Sequence, residues 1–324
     1  MKIVHFFALL LLISATSFAQ TASLTGKVKN GEGQPIPLAF IRDQGHYYAT
    51  YTDSAGSFIL KGDPASSLLA IAPGYADIGV KIDGKASIDI VMQNGISSSA
   101  KTAVINDLNG NLSSLSAYLN KQTIVSQAGG TTSVKAGFVQ EPTRGSPYLF
   151  TVWARGFAIT NGDSLLYDVN NLYNYDKLTG NLVFTRDGKN ILQANIAGVK
   201  SFSLFNGKPH PFVFVNAPEI SKKPLIEILV ATPRYKLYKQ TDTKLQEANF
   251  HTDGVITSGN RYDEYEDNVH YFFVKTGDKP KQISLKKKTI KELFGGDADK
   301  FVSAQGDRDV DDDYLRDLNY ALSL

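Results

Sequence analysis

The chain has 324 residues, no cysteine, and a formal net charge of +2 from 34 basic and 32 acidic side chains. The lack of cysteine excludes disulfides, thiolate metal sites, a cysteine nucleophile and a lipid-modified cysteine anchor. The near-neutral charge gives no whole-chain signal for nucleic-acid binding, and the length predicts two or three domains.

Residues 1–19 have the pattern of a secretory signal peptide. One charge, Lys2, precedes an apolar run over residues 3–13, and small residues lead to a cleavage site after Ala19. The run is shorter than the roughly 20 residues that cross a bilayer, and no later stretch is apolar enough to span. We therefore expect an exported chain that is periplasmic, outer-membrane associated or secreted.

Residues 22–93 contain short apolar runs separated by turn residues, a pattern that predicts a β-sandwich. The runs cover residues 24–28, 37–41, 47–51, 58–60, 67–72, 78–82 and 88–92. One turn is readable in detail. Asp53 can accept hydrogen bonds from amides two residues on, Gly56 can adopt a positive φ, and Phe58 then falls on an inward face.

This segment resembles the carboxypeptidase regulatory-like domain, a transthyretin-like β-sandwich. The resemblance covers about 70 residues and rests on three motifs: Gly26-x-Val28, Gly33-x-Pro35-Ile36-x-x-Ala39, and Thr52-Asp53-x-x-Gly56-x-Phe58. It implies an accessory or binding module rather than a catalyst, of a kind found at the N-terminus of exported Bacteroidota proteins. No receptor plug or import barrel is recognisable after it.

Residues 94–146 are rich in Ser, Thr, Asn, Gly and Gln, a composition typical of a linker. One helix is predicted within them, because apolar residues recur at spacings of three and four: Ile105, Leu108, Leu112, Leu115 and Leu119. Its polar face lacks the Lys and Arg of a membrane-surface helix, so we expect it to dock on a neighbouring domain.

Residues 147–285 again have a β pattern, with hairpin turns predicted at residues 161–163 and 186–189. The predicted strands cover residues 153–160, 164–169, 181–185, 190–194, 199–204, 212–215, 225–230 and 269–275. Residues 286–324 predict a helical tail with helices at residues 289–294, 297–304 and 311–322. The overall prediction is a mainly β protein with short C-terminal helices.

The second part of the chain resembles an uncharacterised C-terminal region of small exported Bacteroidota proteins. The resemblance rests on residues 145–150, 174–176 and 294–324. It implies no activity.

A serine esterase of the GDSL type is the alternative function that the sequence raises. Residues 162–165 read Gly-Asp-Ser-Leu, and Asp267 and His270 have the spacing of that family's terminal Asp-x-x-His. Ser164 would be the nucleophile. Three features oppose this reading: the motif continues into a predicted strand, no Gly-x-Asn-Asp block follows, and strand–helix alternation is absent.

Metal and cofactor sites are not predicted. The histidines His46, His210, His251 and His270 have none of the spacings of zinc peptidases. The start of a calcium-binding loop is matched by three residues, Asp307, Asp309 and Asp311. However, Asp312 stands where the loop needs glycine, and Leu318 stands where it needs a bidentate glutamate. Acidic residues before a helix explain the run without a metal.

Seven lysines between residues 275 and 291 form a basic stretch with one opposing acid, Asp278. They are Lys275, Lys279, Lys281, Lys286, Lys287, Lys288 and Lys291. An anionic partner such as lipopolysaccharide or phospholipid headgroups is one interpretation. A solvated edge that discourages strand pairing is the favoured one.

Four tyrosines are the candidate ligand-facing residues, because aromatic rings can stack on sugars: Tyr47, Tyr51, Tyr173 and Tyr175. Cross-strand packing is the commoner use of such rings. With no catalytic constellation in a coherent fold, the sequence favours a non-enzymatic binding or scaffolding protein of the cell envelope. Its expected partners are glycans or envelope proteins, and not nucleic acid.

Overall fold

The computed structural model describes residues 22–96, 105–106, 112–113 and 140–323. Strands make up 46% of the described residues and helices 11%, and the three helices found there lie near the C-terminus, so the prediction of a mainly β fold is confirmed. The predicted signal peptide lies outside the described residues. Within the described ranges, no helix is long and apolar enough to cross a membrane.

The N-terminal part is a sandwich of two sheets, hereafter the sandwich. Its strands are β1 (Ala22–Asn30), β2 (Phe40–Asp43), β3 (Ala49–Tyr51), β4 (Ser57–Gly62), β5 (Ser67–Ile71), β6 (Ile78–Lys81) and β7 (Ser87–Met92). One sheet has the order β4-β1-β7 and the other β3-β2-β5-β6. Alternate side chains of both sheets meet in a buried core that includes Leu24, Val28, Phe58, Leu68 and Ile90.

The turn before β4 has the predicted chemistry. The Asp53 carboxylate accepts hydrogen bonds from the amides of Ala55 and Ser57 at 2.9 and 2.8 Å. Gly56 has φ 71°, a conformation that side chains other than glycine rarely adopt, and Phe58 is buried. The motif therefore fixes the entry of β4 into the sandwich.

The segment predicted as a linker is only partly described. Within it, β8 (Ile105–Asn106) and β9 (Leu112–Ser113) pair as two-residue antiparallel strands, so the helix predicted there is wrong at those residues. The rest of that helix lies outside the described residues. Near the end of the segment, β10 (Glu141–Arg144) pairs in parallel with a strand of the larger sheet.

The second part is built on a nine-stranded sheet, hereafter the central sheet. Its order is β10-β22-β19-β18-β17-β16-β11-β12, with β23 also paired to β22. The bounds are β11 (Arg155–Thr160), β12 (Leu165–Tyr167), β16 (Val199–Phe205), β17 (Phe212–Val215), β18 (Ile226–Ala231), β19 (Tyr235–Gln246), β22 (Tyr262–Lys275) and β23 (Lys281–Ile283).

Smaller elements cover the central sheet. A three-stranded cap sheet contains β13 (Leu172–Asp176), β14 (Asn181–Thr185) and β15 (Leu192–Gln193), and a small hairpin contains β20 (His251–Asp253) and β21 (Ile256–Ser258). The helices are α1 (Lys287–Phe294), α2 (Gly296–Ala304) and α3 (Asp312–Ser323). The cap sheet packs on Phe202 and Phe214, and the helices pack on Leu237 and Phe273 of the same face.

The opposite face of the central sheet packs on the sandwich. Phe40 stacks on Tyr167 with ring centroids 4.4 Å apart, and Tyr51 lies 5.1 Å from Phe205. These rings belong to one buried cluster together with Phe157. The sandwich and the second part therefore share a hydrophobic core, although they are separate in sequence.

Candidate functional site

Three of the four tyrosines predicted to face a ligand are core residues. Tyr51 lies in the cluster between the sandwich and the central sheet, and its pKa is raised by burial. Tyr173 and Tyr175 lie in β13 of the cap sheet and pack against the central sheet, and the Tyr175 hydroxyl donates to the carbonyl of Leu225 at 2.7 Å. The prediction that these three tyrosines face a ligand is wrong, because packing between facing sheets buries all three rings.

The fourth, Tyr47, is 38% exposed and lines a cleft of about 580 Å³. Three walls form this cleft: the β2–β3 turn of the sandwich, the sandwich-facing side of the central sheet, and α3 with the loop before β17. A volume of this size lies within the range of small-molecule sites, about 300–1,000 Å³. The cleft is therefore the candidate functional site.

Asp43 organises the turn that forms the first wall. It is fully buried, and it accepts hydrogen bonds from the amides of Gly45 at 2.8 Å and Asp63 at 3.1 Å and from the Ser66 hydroxyl. His46 Nδ1 lies 3.2 Å from its second oxygen. Burial alone would raise the pKa of Asp43, but these hydrogen bonds and the charge of His46 outweigh burial and lower it. The carboxylate thus holds the turn from inside.

The turn presents two adjacent tyrosine rings to the cleft. The rings of Tyr47 and Tyr48 lie 5.2 Å apart, and His46 stacks on Tyr48 at 5.5 Å. Burial, then the neighbouring Tyr47 and Asp43, raise the pKa of Tyr48. Its phenol therefore remains protonated at neutral pH and can donate a hydrogen bond.

The second wall places hydroxyl groups on an otherwise apolar surface. Ser201 pairs with Ile159, and Ser203 pairs with Phe157, so all four side chains point to the side that faces the sandwich. Phe205 continues the same row. This surface combines flat apolar contact with hydroxyls that can donate or accept.

Helix α3 supplies the third wall through Arg316, Asn319, Tyr320 and Ser323, which share one face at spacings of three and four. The Tyr320 hydroxyl is 3.1 Å from Ser23 Oγ of the sandwich. His210 packs on the Tyr320 ring at 5.5 Å. The helix thus bridges the two parts of the chain at the end of the cleft.

A buried ion pair anchors α3 to the central sheet. Arg316, 5% exposed, donates to the carboxylate of Glu227 in β18 and to Asp313 at 2.6 Å. Its guanidinium lies 3.9 Å from the centroid of the Phe212 ring. Lys239 lies 3.8 Å from Glu227 on the other side. These charges compensate one another, so Arg316 positions the helix rather than offering a free cation.

The residues of the esterase alternative are not brought together. Ser164 follows the β11–β12 hairpin turn, and five strands separate β12 from β22, which carries Asp267 and His270. Six inter-strand steps of about 4.8 Å put them roughly 29 Å apart. The distance exceeds the hydrogen-bond reach that a nucleophile and its base require.

Asp267 is also unable to orient His270. The two residues are three apart on one strand, so their side chains point to opposite faces. Asp267 instead binds Lys177 and Thr243, both at 2.6 Å. Burial would raise the pKa of Asp267, but these two partners outweigh it and lower the pKa. No catalytic triad forms from these residues.

The acidic residues at the start of α3, Asp311–Asp313, cap the helix and form ion pairs. Asp311 accepts a hydrogen bond from the amide of Tyr314 at 2.7 Å. Asp312 and Asp313 bind Lys239 and Lys208 at 2.5 and 2.6 Å. Across the described ranges, no group of three or more His, Asp or Glu side chains could hold a metal ion. The geometry agrees with the interpretation of this run as helix-terminal acids.

A second cavity, of about 730 Å³, lies where β19 and β22 leave the central sheet. Three of its charged side chains are already in ion pairs: Lys223 lies 3.5 Å from Asp242, and Asp267 binds Lys177 beside the cavity. A ligand there would have to displace these contacts. The cleft, with its tyrosine rings, is the better candidate.

Three important cleft residues were missing from the sequence-based site: Tyr48, His210 and Tyr320. Tyr48 would point away from Tyr47 if both lay on one strand, but both lie in the β2–β3 turn, where side chains do not alternate between faces. Tyr320 had one usable signal, since it lies off the apolar stripe of Leu315, Leu318 and Leu322. No local pattern marks His210.

Comparison with known proteins assigns the chain to no family. No protein-family model matches the chain, and no curated protein matches it significantly.

Proposed function

We propose that this protein is a non-enzymatic binding protein of the bacterial cell envelope and that the cleft is its ligand site. The observation that carries the proposal is the arrangement of Tyr47, Tyr48 and Tyr320 around one concave surface. Three rings from two parts of the chain converge there. The predicted signal peptide and the resemblance of the sandwich to an accessory domain support the same function.

A neutral glycan is the ligand class that suits this lining. Tyrosine rings offer apolar faces for stacking and hydroxyl groups for hydrogen bonds. Ser201, Ser203 and Asn319 add further polar groups at the walls. Of the two lysine and arginine side chains that line the cleft, Arg316 is paired with Glu227, and Lys61 is an exposed cation. A strongly charged ligand would find few free counter-charges.

The test is a glycan array probed with residues 20–324, followed by titration of the strongest ligand. We expect Tyr47→Ala and Tyr320→Ala each to weaken binding at least about tenfold, the factor that 1.4 kcal/mol gives. Tyr265→Ala is the matched control, because this half-buried tyrosine lies on β22 outside the cleft. Circular dichroism verifies that each variant folds.

Two outcomes would contradict the proposal. One is the absence of any glycan ligand on a broad array. The other is a robust hydrolytic activity that Ser164→Ala abolishes, which would restore the esterase. An equal loss of binding in the cleft variants and the Tyr265→Ala control would place the ligand elsewhere.

A further inference from the structure

An extended hairpin arm projects from the central sheet. Strands β19 and β22 pair continuously from Tyr235 with Lys275 to Gln246 with Glu264. The neighbouring β18 pairs with β19 only over residues 236–239. Residues 240–246 of β19 therefore extend roughly 20 Å beyond the last residue that pairs with β18. Residues 240–270 are hereafter the arm.

The tip of the arm exposes two aliphatic side chains. Gly254, with φ 62°, and Val255 connect β20 to β21. Val255 is 99% exposed and Ile256 is 73% exposed. Tight hairpin turns usually carry Gly, Asn, Asp or Ser, so Val255 has no local advantage at its position in the turn. Covering both side chains would remove their apolar surface from water, which favours association.

The tip is held in a defined geometry. The Asn260 amide donates to the Asn249 side-chain oxygen at 2.7 Å, and the Asn249 amide donates to the Asn260 carbonyl at 3.0 Å. His251 Nε2 lies 3.0 Å from the Ser258 hydroxyl. The Arg261 guanidinium lies 4.2 Å from the centroid of the Phe250 ring. These contacts present the aliphatic pair in one orientation.

The arm is acidic. Residues 240–270 contain seven carboxylates and two cations, a net charge of −5. Asp242 and Asp267 are paired with lysines outside the arm. Among the other charged side chains of the arm, carboxylates outnumber cations five to two. Repulsion from anionic headgroups disfavours a membrane as the surface that covers the tip.

A complementary surface lies at the other end of β22. Residues 275–291, hereafter the basic segment, contain seven lysines and one acid, a net charge of +6. Six of the lysines are exposed, and the ion pair of Lys288 with Glu292 spans 3.9 Å. Half-buried apolar residues lie among and beside the lysines: Ile283, Leu285 and Leu293. The basic segment therefore offers charge and apolar contact together.

We propose that the arm docks on the basic segment of a second copy of this chain. The 14 residues of β22 separate the tip of the arm from the basic segment by roughly 45 Å. In a dimer with a two-fold axis, the β22 strands of the two copies run in opposite directions. The arm of each copy then meets the basic segment of the other copy. Each aliphatic tip then packs against the apolar residues of its partner's basic segment. Such an isologous arrangement closes as a dimer.

Sedimentation velocity on residues 20–324 tests the dimer. We expect the dimer dissociation constant to rise at least tenfold between about 0.01 M and about 1 M salt, because the Debye length falls from about 30 to about 3 Å. Val255→Ser/Ile256→Ser should weaken the dimer at least about tenfold. The control Val152→Ser removes another exposed valine, 65% exposed, and should have no effect.

A charge exchange gives a sharper test. Variant one, Asp253→Lys/Glu266→Lys, reverses charge on the arm. Variant two, Lys281→Glu/Lys286→Glu/Lys288→Glu/Lys291→Glu, changes the net charge of the basic segment from +6 to −2. Each alone should be monomeric, whereas an equal mixture should form a one-to-one complex, because each reversed surface then meets its complement.

A monomer at every concentration would overturn the proposal, and so would a dimer that tip and charge variants leave unchanged. Binding of the monomer to phosphatidylglycerol vesicles through Val255 and Ile256 would also overturn it, in favour of a membrane. Glycan binding by the tip variant separates this inference from the proposed function, since the cleft does not include the arm.

Discussion

Replacing Phe40 by alanine tests whether the sandwich and the central sheet unfold as one unit. Phe40 is fully buried, with its ring stacked on Tyr167 at 4.4 Å and 5.0 Å from Tyr51. Removing a buried phenylalanine costs about 3–5 kcal/mol. The Phe40 ring contacts residues of both parts of the chain. The loss of unfolding free energy should therefore be measurable in the sandwich and in the second part.

The chain contains one tryptophan, Trp153, which lies in the second part, next to Tyr148 at 6.1 Å between ring centroids. Its fluorescence during urea unfolding therefore reports on the second part, although the mutation is in the sandwich. With an m value of about 3 kcal/mol/M, Phe40→Ala should lower the midpoint by about 1 M or more.

Phe58→Ala is the matched control, because Phe58 is buried inside the sandwich core. If the chain unfolds as one unit, this control lowers the Trp153 midpoint as well. A Trp153 midpoint that Phe40→Ala leaves unchanged would refute the shared core.

Three further predictions concern stability, each measured by chemical denaturation. Gly26→Ala should destabilise the sandwich by about 1–3 kcal/mol or more, because the new Cβ would lie 1.9 Å from the carbonyl oxygen of Ile88; a neutral result would contradict the observed strand spacing. Arg316→Met should cost about 3–5 kcal/mol by leaving Glu227 buried without its main partner, whereas Arg316→Met/Glu227→Met should recover most of the loss; an additive double variant would refute the pairing. The lowered pKa of Asp43 means that its carboxylate stabilises the fold above its unfolded pKa of about 3.9 and loses this contribution as the pH falls through the folded pKa. Asp43→Asn should therefore destabilise the protein at pH 7 and differ less from the native chain below about pH 4, and a constant difference would be evidence against this role.

Local patterns predicted most of the strands and all three helices. The turn at Asp53 and Gly56 is a case where short-range chemistry determines the result, because its hydrogen bonds and positive φ involve neighbours in sequence. Strand β14 and strand β17 coincide with their predicted ranges, since turn residues bound both runs.

Features that depend on distant contacts were not predicted. Strand β19 was missed because its charged and polar residues break the apolar pattern, and pairing with β22 and β18 determines its structure. Tyr173 and Tyr175 lie outside every predicted strand, but they belong to β13, which pairs with β14. The cleft was also not predictable, because its walls come from three parts of the chain that meet only through tertiary packing.

Hydrogen–deuterium exchange of residues 20–324, with and without the strongest glycan of the array, tests whether the cleft is the ligand site. We expect slower exchange on binding in three segments, at residues 43–50, 199–205 and 316–323, which form the three walls of the cleft. Protection confined to the arm or to the outer face of the sandwich would contradict it, and so would binding with no change in these three segments.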